Sequence, residues 1–212
     1  MSGEPRTARG RATRERILAA ATELIARRGV AATSLEDVRR AAGASKSQLY
    51  LYFADREDLL RAVAHATTDQ VMAGQSEALS GCDSLAGIQH YFDGVVAKQH
   101  ERRARGGCPL GTLAGQLAET DEGARRELAA GMERWDTALR AGLTAMAQRG
   151  ELSPDVDPET LATQTLALIQ GGLLLTQIHR SPAQVRVALD GALALISAAL
   201  AAPDGAKLAQ RV

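Results

Sequence analysis

TSLEDVRRAAGASKSQLYLYFADREDLLR, residues 33–61, decides how the rest of the chain is read. Leu35, Val38 and Ala41 fall at i, i+3 and i+6, one apolar face of a short helix. Gly43 can take positive φ and end it. Ser45, with Gln48 three residues on, forms a capping-box pair that opens a second helix. In that helix Leu49 and Phe53 share one face, and Lys46, Ser47 and Tyr50 point outward. Asp55 caps a third helix carrying Leu59, Leu60 and Val63. Two helices joined by a short Gly-containing turn, the second polar on its outer face, form a helix-turn-helix. That face offers an ammonium, hydroxyls, an amide and phenols, which suit base edges and phosphate oxygens in a major groove. The competing reading is a helical hairpin whose polar face is merely wet. Aromatic placement weighs against it. The chain has 1 Trp, 3 Tyr and 2 Phe, and three of these rings are Tyr50, Tyr52 and Phe53. A chain so poor in rings is expected to bury them rather than show two on a small outer face.

The longer run ILAAATELIARRGVAATSLEDVRRAAGASKSQLYLYFADREDLL, residues 17–60, resembles the N-terminal domain of TetR-family transcriptional regulators. The likeness rests on the Thr-Ser entry at 33–34, the Ala-Ala-Gly turn, the Leu-Tyr-x-Tyr-Phe core and the acidic Glu-Asp-Leu-Leu opening of the following helix. The resemblance implies that residues 45–53 are a recognition helix. Lys46, Ser47 and Leu51 fall where family members touch bases; Leu51 departs from the larger or polar residue common there. Gln48, Tyr50, Tyr52 and Arg56 fall where phosphates are held, Arg56 replacing the usual Lys. Thr33, Ser34 and Ser45 complete the DNA-facing set.

The 212 residues suffice for one large domain or two modest ones, and the Ala-, Leu-, Arg- and Glu-rich composition predicts an all-α chain. About nine helices are expected, arranged as a three-helix head and a helical-bundle body. A zero net charge argues against a nucleic-acid binder until the chain is split. Residues 1–62 carry 12 Lys and Arg against 8 Asp and Glu, a net of +4, which leaves 13 against 17 beyond. The basic excess lies with the helix-turn-helix, as counter-ion release at DNA requires. The expected division is therefore 1–62 for DNA and 63–212 for ligand and dimer contacts. Nothing at the start reads as a signal segment, so a cytoplasmic protein is expected. Two cysteines, Cys82 and Cys108, do not make a disulfide framework.

Residues 1–10 read as a mobile arm, where Arg6, Arg9 and Arg11 either reach DNA or are merely solvated. Helices are expected over 12–28 and, beyond the helix-turn-helix, over 55–79, 84–104, 110–119, 121–148, 158–179 and 181–200. A rigid helix over 55–79 would link head to body. The run LALIQGGLLL at 166–175 is apolar all round, which requires burial or an interface. Ten residues with Gln170 inside are too short and too polar for a membrane span.

Two apolar C-terminal helices exceed what one small bundle covers. A homodimer pairing them as a four-helix interface uses the surplus, and the resemblance implies the same. Such a dimer reads a palindromic operator. Gly171 and Gly172 permit either close helix approach there or room for a ligand. The resemblance also implies an unknown small-molecule inducer in the body, with Phe92, Leu113, Gln116, Met132, Trp135 and Gln170 as candidates against ordinary core packing.

Cys108 follows Arg102, Arg103 and Arg105 and precedes Pro109 at a helix start, surroundings that raise a thiol's thiolate fraction. RGGCPLGTLAGQLAE is similar to the matching stretch of an electrophile-responsive TetR subgroup, so Cys108 is either a sensor or a buried small hydrophobe. His65, His90, His100 and His179 are too scattered for a metal pair, and no cofactor or catalytic set is expected. A cysteine-dependent enzyme with His100 as base, or a helical adaptor without DNA binding, are the alternatives.

Overall fold

The computed structural model describes Pro5 and residues 7–201; Arg6 and the tail after Pro203 lie outside them. Ten helices form among the described residues: α1 Ala8–Arg28, α2 Leu35–Ala41, α3 Lys46–Tyr52, α4 Arg56–Ala73, α5 Ser76–Ser80, α6 Leu85–Glu101, α7 Pro109–Leu117, α8 Glu122–Gln148, α9 Pro158–His179 and α10 Ala183–Ala198. The all-α architecture is as expected. Leu152 and Leu200 add an isolated antiparallel bridge.

Three expectations change. First, α1 starts at Ala8, where Thr7 Oγ1 accepts from the Gly10 amide, so Arg9 and Arg11 belong to a helix and not to an arm. Second, the helix expected over 55–79 stops at Ala73, which makes the tenth helix. Gln75 leaves helical geometry at φ −136°, and its side chain accepts a hydrogen bond from Tyr91, so a tertiary partner and the flexible Gly74 before it outweigh helix propagation. Third, α9 is 22 residues long with a hydropathy of 1.2, enough by length and composition to cross a membrane. Its buried stripe, Leu161, Thr165, Ile169, Leu173 and Thr176, instead serves packing in a bundle with α10 and neighbours.

Packing divides the chain into two compact units. One holds residues up to Ala73 with Pro109–Met132; the other holds Gly74–Cys108 with Glu133 onward. The 62/63 boundary expected from motif and charge follows sequence, whereas this division follows contacts, and α4 and α7 pack within the first unit.

In the first unit α1 contacts α2, α3 and α4. Ile17, Ala21 and Ile25 of α1 meet a core with Val38, Leu49, Phe53, Leu60 and Val63, all nearly inaccessible. Arg16 Nε donates to the Ala42 carbonyl at 2.8 Å and the Arg14 guanidinium sits 5.3 Å from the Phe53 ring centre, bracing the turn and the C-terminal end of α3 on α1.

In the second unit α10 packs on α9 and α6. A Cβ at Gly172 would stand 2.8 Å from Ala188 Cβ and 3.1 Å from Val185 Cα, so glycine there lets α9 and α10 of one chain approach. Gly171 is exposed, with nothing within 4 Å of such a Cβ. The α9–α10 pair leaves Leu174, Leu175, Ile178, Val187 and Leu195 exposed.

Candidate nucleic-acid interface

The second helix of the pair owes its position to its caps. Ser45 Oγ accepts from the Gln48 amide at 3.1 Å, and Gln48 Oε1 accepts from the Ser45 amide at 2.9 Å. This reciprocal box starts α3 at the expected residue. The same device starts α2: Ser34 Oγ accepts from the Asp37 amide at 3.1 Å, and Asp37 accepts from the Ser34 amide at 3.1 Å. Between them Gly43 at φ +58° makes the turn. Arg39 locks it, donating to both Glu36 oxygens and, at 3.1 Å, to the Ala44 carbonyl.

These bonds sort the side chains on α3. The Ser45 hydroxyl and the Gln48 carbonyl oxygen are engaged in the cap. Lys46, Ser47, Tyr50 and Leu51 are exposed, Tyr50 at 48% and Leu51 at 65%. Leu49 at 2% and Tyr52 at 9% are buried. Tyr52 therefore does not share an outer face with Tyr50. It stands three residues after Leu49, on the inward face, with its hydroxyl 3.4 Å from where a Gly10 Cβ would lie.

The entry residues separate in the same way. Thr33 is buried and its hydroxyl donates to the Gly29 carbonyl at 2.8 Å, so it shapes the α1–α2 loop from inside. Ser34 is exposed. Arg56, also exposed, donates through Nη2 to the Val30 carbonyl at 2.7 Å, which fixes its guanidinium beside the loop.

Thr33, Ser34, Asp37, Lys46, Tyr50 and Arg56 line an open cleft of about 770 Å³ between the two helices and the loop. Its two carboxylates are kept ionised below the usual range, Glu36 by its hydrogen bond to Arg39 and Asp37 by its bonds from Ser34. Both are therefore engaged within α2, while the Lys46 ammonium is exposed. A cleft of this kind, with the Lys46 and Arg56 side chains on its wall, can take an anionic group.

The ligand candidates fall into two groups. Leu113, Gln116 and Met132 belong to the first unit; Phe92, Cys108, Trp135 and Gln170 belong to the second. Gln116 Oε1 accepts the Val30 amide proton at 2.7 Å, a contact to the α1–α2 loop. In the second unit Trp135 Nε1 donates to Tyr91 Oη at 3.0 Å, and Tyr91 donates to Gln75 Oε1 at 3.0 Å. Sequence reading missed Tyr91 and Gln75, because nothing in their spacing marks a partner 44 residues away. Burial pushes the Tyr91 hydroxyl far up, against the lowering effect of Trp135, and the Cys82 and Cys108 thiols add to the rise. Phe92, beside Tyr91 at 6.0 Å between ring centres, is core. Gln170 Nε2 and Gln99 Oε1 are buried with no hydrogen-bond partner among the described residues.

Cys108 is buried at 7% exposure. The loop that delivers it runs through left-handed Arg103, Ala104, Gly106 and Gly107. A Gly107 Cβ would lie 2.5 Å from Gln177 Oε1, the end of a flexible side chain on α9, and the φ of +51° at this position favours glycine. Burial also pushes the Cys82 thiol up to about 11, with the Asp83 charge adding to it.

Comparison with known proteins agrees with this geometry. Residues 17–63 match the bacterial regulatory proteins of the tetR family, and residues 84–192 match the tetracyclin repressor-like C-terminal domain. An uncharacterized HTH-type transcriptional regulator of Lactococcus lactis is 29% identical over 79% of this chain and 85% of its own length. The HTH-type transcriptional repressor DhaR of a Mycobacterium species is 23% identical over 88% of this chain and 91% of its own. Among solved structures, a TetR-family regulator from Cytophaga hutchinsonii superposes with a TM-score of 0.79 at 20% identity, covering 94% of this chain and 100% of that one. These relatives are regulators and not enzymes, so at the level of family the cysteine-enzyme and adaptor alternatives give way. The chain belongs to the TetR family and is a DNA-binding transcriptional regulator built on an N-terminal helix-turn-helix.

Proposed function

We propose that this protein is a homodimeric repressor, held on a palindromic operator through residues 1–62 and released by an event in residues 63–212. The observation that carries the DNA half is the sorting on α3: its capping groups are internally bonded while Lys46, Ser47 and Tyr50 face outward. In this reading Lys46 and Ser47 meet base edges, and Tyr50, Ser34 and the remaining donors of Gln48 and Arg56 hold phosphates. The repressor sense is supported by the DhaR relative. Such a protein works where the DNA is, in the cytoplasm.

The dimer is supported by the exposed Leu174, Leu175, Ile178, Val187 and Leu195, five large apolar side chains that the paired helices α9 and α10 leave uncovered. Release follows from differential affinity: an inducer that binds better when the heads are held apart shifts the dimer toward that state. Two triggers fit the second unit. One is a small molecule that gives Gln170 Nε2 an acceptor or Gln99 Oε1 a donor, both unpartnered in the second unit among the described residues. The other is modification of Cys108, which would force a thiol exposed at only 7% to move.

The test is a gel shift with DNA flanking the protein's own gene at two salt concentrations, with and without an alkylating agent, beside Cys108→Ser. Specific binding lost on alkylation only with Cys108 present supports the thiol trigger. Specific binding indifferent to alkylation overturns it and directs the search to a reversible ligand, followed by the fluorescence of the sole Trp, Trp135. Absence of any specific complex on selected as well as native DNA overturns the repressor.

A further inference from the structure

α3 carries two outward stripes. Lys46 and Tyr50 lie four residues apart on one, and Ser47 and Leu51 lie four apart on the next. Three of these four side chains end in polar groups. Leu51 does not, and at 65% exposure it is the one aliphatic side chain on the outer face of the recognition helix. Its neighbours show that the fold does not need it there. Leu49, Tyr52 and Phe53 fill the inward positions, at 2%, 9% and 1% exposure, and no core place is left for Leu51.

An exposed leucine on an arbitrary surface carries no message. Here the surface is the one turned toward base edges, and only one of the four bases carries a methyl group on its major-groove edge. Adenine, guanine and cytosine present acceptors or donors there; thymine presents its O4 acceptor and, beside it, the C5-methyl group. A leucine one helical turn beyond Ser47 has nothing to exchange with a polar edge, and would leave such an edge desolvated and unpaired. Against a methyl group it gains contact and loses nothing.

We propose that Leu51 is a specificity-determining residue that reads the C5-methyl of a thymine in each half-site. This rests on the operator-binding reading above. The methyl contact is worth about threefold to tenfold in affinity, the scale of burying one methyl-sized group. Two half-sites in a twofold dimer square that factor when both thymines are changed.

The experiment uses the full-length protein. Binding sites are first selected from a random duplex library. Each thymine of the selected site is then replaced singly by deoxyuridine, which removes the methyl group and leaves the pairing edge intact. Wild type, Leu51→Ala and Tyr50→Phe are titrated on every duplex. The expected result is one symmetry-related pair of thymines whose replacement costs wild type and Tyr50→Phe threefold to tenfold per half-site and costs Leu51→Ala nothing further. Thermal melting should be equal for wild type and Leu51→Ala, since an exposed side chain is removed.

A selected site with no deoxyuridine penalty in wild type overturns the proposal and leaves the regulator intact. So does a penalty that persists in Leu51→Ala, which would place the methyl contact on another residue. Failure to select any sequence overturns the operator-binding reading itself, and this proposal with it.

Discussion

Gln116 Oε1 accepts the backbone proton of Val30 at 2.7 Å, across 86 residues of sequence. The bond ties α7 to the α1–α2 loop, whose Val30 carbonyl is held from the other side by Arg56. Gln116 also donates to the Thr112 carbonyl at 3.0 Å, which keeps its amide oriented. A residue expected to meet a ligand therefore supports the loop that presents Ser34 to the cleft.

Removing that acceptor leaves a part-buried amide unpaired. Gln116→Ala is expected to cost about 1–2 kcal/mol of stability. Gly29→Ala should cost a similar amount, because φ is +84° and the new Cβ would stand 3.0 Å from the same Oε1. The two losses share a partner, so the double variant should fall short of their sum. Chemical denaturation of all four proteins checks this.

Tyr50 and Tyr52, two residues apart, are expected to fail differently. Tyr50→Ala should weaken binding to any DNA and leave the melting temperature within a degree or two. Tyr52→Ala empties a buried site and should destabilise by about 3 kcal/mol. Melting and salt-dependent titration on cognate and random DNA separate them. Lys46→Ala should do most harm on the cognate site; equal losses on both DNAs would deny it a base contact.

The exposed stripe on α9 and α10 should be sensitive to charge. Ile178→Glu, at 63% exposure, and Leu174→Glu, at 57%, cost little within one chain but would bury carboxylates in a dimer. Sedimentation should show a monomer with near-native helicity. A dimer that persists in the double variant would move the interface elsewhere.

Alkali should loosen the protein in two stages. Burial raises the Cys82 thiol to about 11, and the Tyr91 hydroxyl rises as well. A group whose folded pKa is raised contributes its full stability below its unfolded pKa and loses it as pH rises toward the folded value. The Cys82 stage therefore begins near pH ~8.5 and the Tyr91 stage near ~10. By about pH 10.5 the first should remove on the order of 2 kcal/mol. Cys82→Ala should flatten that first stage and leave the second, as followed by denaturation at a series of pH values. By the same shift only about one Cys82 in a thousand is thiolate at about pH 8, so alkylation at Cys82 in the native protein should be slow.

How legible was all this in the chain itself? Hydrogen bonds between residues three or four apart are written in local order. Ser34 with Asp37, Ser45 with Gln48 and Asp157 with Thr160 begin helices at or beside the residues expected. The family motif lies in the same local window, and with it the outward placement of Lys46, Ser47, Tyr50 and Leu51. The burial of Tyr52 was also within reach, since i+3 from Leu49 is inward; the motif's phosphate role obscured it.

The partners of Gln116 and Trp135, the end of α4 at Ala73 and the use of Gly172 for a close α9–α10 approach were decided only by tertiary structure. Each depends on groups distant in sequence competing for one buried donor, acceptor or space. Spacing along the chain carries no record of that competition, because a buried polar group is satisfied by whatever the fold brings within reach.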